Sequence, residues 1–170
     1  MVRGSLRSLW LVAWVFVLFG LVLWAADRFG RNIRTLDTLN VPHGLLYGIA
    51  QTLALIPGVS RSGATITMGR ALGYQRPDAA RYSFLLAIPA VLGSGLYELR
   101  TAIVQPELNG HFTMTETAIA TLVSFAVGFA VIAWLMKYIT TRSFLPFVVY
   151  RIVAGFALMA LLSAGVIDPL

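Results

Sequence analysis

Ile56-Pro57-Gly58-Val59-Ser60-Arg61-Ser62-Gly63-Ala64-Thr65 interrupts an otherwise apolar stretch with a proline-glycine pair, an arginine and three hydroxyls. Proline disfavours helical geometry in the residue before it and cannot donate the next helical hydrogen bond. The spacing therefore predicts a broken helix. One half runs from His43 to Ile56, and the other from Ser62 to Leu72 with Gly73 as its stop. Each half is too short to cross a hydrocarbon core of about 30 Å.

Outward from the break, the chain consists of long uncharged runs. Ser8 to Ala26, Tyr82 to Leu99, Thr117 to Met136 and Phe144 to Ile167 each have the length and apolarity of a membrane span. Of 170 residues, 58% are hydrophobic and 12% charged, against about 25% charged in an ordinary soluble domain. The fold class expected is all-α: a polytopic membrane helical bundle of about four spanning helices and one broken re-entrant hairpin, forming a single membrane domain over residues 1–170. The first run is read as a true span rather than a signal peptide, because its apolar core exceeds the usual signal length and an arginine-rich segment follows.

Charge sets the expected sidedness. A re-entrant hairpin puts Arg28, Arg31, Arg34, Arg70, Arg76, Arg81, Lys137 and Arg142 on one side, the cytoplasmic one, with both termini outside and Arg3, Arg7 and Arg100 opposite. An interrupted crossing would divide the same residues more evenly between the faces. The net charge of +6 comes without a dense basic tract, so no nucleic-acid partner is expected. With no cysteine there is neither disulfide nor thiolate metal site.

The chemistry concentrates at the break. An arginine at membrane depth costs about 3 kcal/mol or more without a partner or a water-filled cavity. An anion would supply one, since the opening turn of the second half-helix presents free N–H groups and the positive end of its dipole. Ser60 suits the N-cap, Gly63 admits a ligand to the backbone, and Arg61 offers paired donors to phosphate oxygens. The alternative is a plain hairpin turn, with Arg61 bound to carbonyls and the serines capping a helix. No P-loop is present.

The stretch from Gln51 to Thr65, QTLALIPGVSRSGAT, resembles the second signature motif of the undecaprenyl pyrophosphate phosphatases. Arg81 to Pro89 and Phe147 to Ile152 are similar to the family's following segment and C-terminal helix. The resemblance implies a hydrolase of the bacterial inner (plasma) membrane that converts undecaprenyl pyrophosphate to undecaprenyl phosphate, recycling the carrier for peptidoglycan synthesis and conferring bacitracin resistance. It implies catalytic roles for Arg61 and Ser60, substrate contacts from Ser62, Gly63 and Thr65, and a divalent cation, Mg2+ or Ca2+. Gln51 is expected either to face the same cavity as a substrate-binding residue or to form a helix–helix hydrogen bond.

The family also carries an earlier glutamate-rich motif and a serine-rich loop with a histidine, and the sequence has neither. The chain is accordingly expected to be the second of two inverted repeats, with metal ligands outside it and either a homo-oligomer or a complementing N-terminal half as partner. Other functions compatible with a broken membrane helix are transport of an anionic substrate and a non-catalytic membrane subunit.

Elsewhere, Arg151 is expected to snorkel to the interface, with contact to the lipid head group as the alternative, and Glu98 and Arg100 to form an interfacial pair. His43 and His111 match no metal-ligand spacing. Trp10, Trp24, Tyr97 and Tyr138 read as interfacial aromatics.

Overall fold

The computed structural model describes residues 8–105 and 113–168; Arg3, Arg7 and His111 lie outside them. Among the described residues six α-helices follow in order: α1 (Leu9–Phe29), α2 (Val41–Thr52), α3 (Arg61–Ala71), α4 (Arg76–Val104), α5 (Met114–Thr141) and α6 (Leu145–Ser163). Among the described residues there is no strand, and α1, α4, α5 and α6 are long and apolar enough to cross a membrane.

Helices α2 and α3 are the two halves of the broken segment. Asn40 caps α2 by accepting from the His43 amide, and Pro42 sits in the first turn, where its missing N–H costs nothing. After Thr52 the chain tightens into a 3-10 turn, Leu53–Leu55, and then reverses through Pro57 and Gly58. Gly58 has φ of 91°, a conformation that glycine adopts without steric cost. Ser60 opens α3 by accepting from the Gly63 amide at 3.2 Å, which is the predicted N-cap. Gly73, at φ 89°, ends it as expected.

The two halves pack against each other, and their outer ends are stitched together. The amides of Ile33 and Arg34 donate to the Gly73 carbonyl, and Gln75 donates back to Arg34. Departure and return therefore occur at one end, as a re-entrant hairpin requires. At 1.5 Å per residue the 12 residues of α2 rise about 18 Å, so the tip lies near mid-depth in a core of about 30 Å.

A buried carboxylate gathers the bundle at that end. Asp27, near the C-terminus of α1, accepts from Arg70 Nε at 3.0 Å, from Arg76 Nε at 2.7 Å and Nη2 at 3.2 Å, and from the Phe144 amide at 3.3 Å. Arg70, 1% exposed, also donates to Asn32 Oδ1 and to the carbonyls of Asp27 and Tyr74. The hairpin exit, the start of α4 and the α5–α6 junction thus meet the end of α1. Helix directions place Ser8 and Asp168 at the far end of the bundle.

The most extensive helix contact joins α1 and α6. By contrast, among the described residues of α5 only Ile139 is buried; it joins Leu23, Ile66, Ala80, Phe144 and Val148 in an apolar cluster near the base. Leu135, Met136 and Tyr138 pack against that cluster, and the preceding turns of α5 present mostly apolar side chains outward, the arrangement suited to lipid. One expectation fails here. Glu98 and Arg100 form no ion pair; two positions apart on α4, they leave the helix in nearly opposite directions.

Two outcomes follow. Single cysteines at Thr35, Gln75 and Thr141 should share one accessibility to a membrane-impermeant thiol reagent in intact cells; labelling of Gln75 alone would indicate an interrupted crossing. Asp27→Ala, which strands two arginines, should lower stability by about 3–5 kcal/mol, read as an earlier thermal transition in detergent.

Candidate functional site

The tip of the hairpin faces α6. At the start of α3 the amides of Arg61 and Ser62 precede any intrahelical acceptor, while Ser60 Oγ lies 3.3 Å from Ser62 Oγ. Opposite them is Arg151, 9% exposed, whose Nη2 donates to the Gly58 carbonyl at 2.8 Å. Its guanidinium stacks 4.8 Å from the centre of the Phe16 ring. Its Nε is buried without an acceptor.

Arg151 therefore does not snorkel. It points into the bundle and braces the break, a role missed in the sequence because the residue was judged by its closeness to the start of the last run. The signal was available: it is a charge inside an apolar span, and the energetic argument applied to Arg61 applies equally to it.

A cavity of about 330 Å³ lies between α1, α3, α4, α5 and α6. Ser60, Ser62, Gly63 and Arg151 form its polar end, and Phe16, Ile66, Phe84, Leu135 and Phe147 are among the side chains of its apolar body. A Cβ added to Gly63 would come within 3.1 Å of Ser60 Cβ and 4.0 Å of Arg151 Nη1, so the missing side chain is part of what keeps the polar end open.

The remaining candidates sit differently. Arg61 is half-buried and does not line this cavity, and its guanidinium makes no hydrogen bond or ion pair with another described residue. It occupies the first position of α3 and leaves the helix on another face. Thr65 is fully buried; its hydroxyl bonds the carbonyls of Arg61 and Ser62 and the hydroxyl of Ser83, so it supports the opening turn instead of lining the cavity. Gln51 does not line the cavity either, and its Oε1 is buried without a partner.

A divalent cation is the group implied by the resemblance. Hard cations take oxygen ligands, usually including carboxylates. No acid or histidine lines the polar end, and no group of three such residues occurs among the described ones. The residues present do not fit a cation, and a neighbouring guanidinium would repel it.

The sequence model of the family described as bacitracin resistance protein BacA matches residues 1–157. The chain belongs to that family. A relative from Micrococcus luteus named undecaprenyl-diphosphatase is 58% identical over 162 residues, covering 95% of this chain and 58% of the relative. Relatives of the same name from Pseudarthrobacter chlorophenolicus, at 52% identity, and Kineococcus radiotolerans, at 58%, are matched over 98% and 96% of this chain and 60% and 57% of their own lengths. The chain thus spans somewhat over half the length of these BacA family relatives. Its four apolar spans and its family make it a multi-pass protein of the bacterial inner (plasma) membrane.

The geometry gives a direct test. In Gly63→Ala the helix preference of about 1 kcal/mol for alanine is opposed by the 3.1 Å contact of the new methyl with Ser60 Cβ, so the thermal transition should shift little. The substitution should also weaken inorganic pyrophosphate binding about tenfold, or 1.4 kcal/mol, in a titration followed by tryptophan fluorescence.

Proposed function

We propose that this chain carries the phosphate-binding part of an undecaprenyl-diphosphatase, an acid anhydride hydrolase acting on a polyprenyl pyrophosphate within the bilayer. The observation that carries the reading is the amphipathic cavity at the hairpin tip. One end offers the hydroxyls of Ser60 and Ser62, the first-turn amides of α3 and the unfilled Nε of Arg151. The other is lined by aromatic and aliphatic side chains. A lipid with a charged head and an isoprenoid tail matches both ends.

In the reaction, water attacks the terminal phosphorus, the bridging P–O bond breaks, and undecaprenyl phosphate and inorganic phosphate are formed. Phosphoryl transfer depends chiefly on positioning and on neutralising oxygen charge. Here Arg151 and the α3 amides hold oxygens at mid-depth, and Thr65 with Ser83 keeps the opening turn of α3 in place. Arg61, adjacent and without a partner, is assigned to the second phosphate group, which extends beyond the cavity's polar end. Ser60 and Ser62 orient the head group by hydrogen bonding.

Activation of the water is not assigned to these residues, since no carboxylate or imidazole faces the cavity. That step is assigned to a complementing N-terminal half. In the cell the reaction would recycle the lipid carrier for peptidoglycan and confer bacitracin resistance.

The test uses the chain completed with the N-terminal half of a relative and measures phosphate release from undecaprenyl pyrophosphate. Arg61→Ala should reduce turnover about a hundredfold or more, and Arg61→Lys less severely, because lysine keeps charge but loses the planar fork. A folded Arg61→Ala protein with near-normal turnover would reduce Arg61 to a structural residue.

A further inference from the structure

We propose a second anion site, at the base of the bundle and away from the hairpin tip, that takes the phosphate of an anionic membrane lipid. A cavity of about 130 Å³ lies there between the end of α1 and the starts of α4 and α6, with Trp24, Asp27, Arg28, Arg76, Ser143 and Leu145 on its walls. A water's share of liquid volume is about 30 Å³, so a phosphate group has room.

Its charges do not balance. Asp27 is the single acid on the wall. Its two oxygens already accept from Arg70, twice from Arg76 and from the Phe144 amide, which fills the roughly four acceptor sites of a carboxylate. Arg70 and Arg76 therefore use up this one carboxylate, and Arg28 stands on the same wall as Arg76 without an acid to pair with.

Donors remain over as well. Arg28 is exposed and its guanidinium makes no hydrogen bond with another described residue, and Arg76 keeps Nη1 unused. Ser143 Oγ accepts from the Leu145 amide at 3.4 Å, leaving its hydroxyl proton to donate. Two arginine edges and a hydroxyl converge with no acceptor left, a donor set that suits phosphate oxygens.

The surroundings favour a lipid source over free phosphate. Trp24, 43% exposed, and Leu145, 50% exposed, continue the cavity wall into the outward apolar surface, and Val148 lies beneath them. Tryptophan beside arginine at the end of a span is the composition of a membrane interface. A head group seated between Arg28 and Arg76 would run its acyl chain along α6. The site is independent of the hairpin tip and of the reaction proposed there.

The test reconstitutes the purified chain in nanodiscs of equal phosphatidylglycerol and phosphatidylcholine and counts co-retained lipid by native mass spectrometry after release. The expected result is one phosphatidylglycerol retained in preference to phosphatidylcholine. Arg28→Gln should lower that retention about tenfold, with an unchanged thermal transition because Arg28 is exposed, and Arg28→Lys should fall between. Equal retention of both lipids, or Arg28→Gln behaving as the parent chain, would overturn the site. Displacement of phosphatidylglycerol by inorganic phosphate as effectively as by a short-chain phosphatidylglycerol would overturn the lipid as its source.

Discussion

A single carboxylate holds this bundle in register. Asp27 is 7% exposed, a position that an acid occupies only when paired and hydrogen-bonded. Its four donors come from the hairpin exit, the start of α4 and the α5–α6 junction. Because those elements converge on one point, the hairpin must leave and return at the same end. Half-helices of 12 and 11 residues then place its tip near the bilayer centre.

The tip inherits its chemistry from that depth. Backbone that is not helical survives inside a membrane only when protein or a cavity shelters it. Here shelter comes from α6, where Arg151 bonds the Gly58 carbonyl and lies over Phe16. The arginine that braces the break therefore also faces Ser60 and Gly63. One side chain solves a problem of backbone hydrogen bonding and supplies positive charge to the cavity. Its span in turn packs closely on α1, so the brace is anchored by the bundle's largest helix contact.

Much of this architecture was legible in local pattern. Run length revealed the four spans, Pro57-Gly58 the break, and Ser60 and Gly73 the limits of α3, because each depends on neighbours in the chain. The partnership of Asp27 with Arg70 and Arg76 was not legible, since it links residues 43 and 49 positions apart. Arg151 was misread for a related reason: its distance from the start of a run says nothing about which way it points. Thr65 shows the limit of motif reading, because a hydroxyl within the motif faces Ser83 and helix carbonyls instead of the cavity. Arg61 shows the same limit, since nearness in the motif does not reveal that its guanidinium lies outside the cavity lined by Ser60, Ser62 and Gly63.

The long-range pairing of Asp27 also concentrates the bundle's sensitivity at one point. The acid and its arginines sit on separate elements, so neither α1 nor the hairpin exit can satisfy its buried charge without the other. A change at position 27 is therefore felt together at the hairpin exit, at the start of α4 and at the α5–α6 junction.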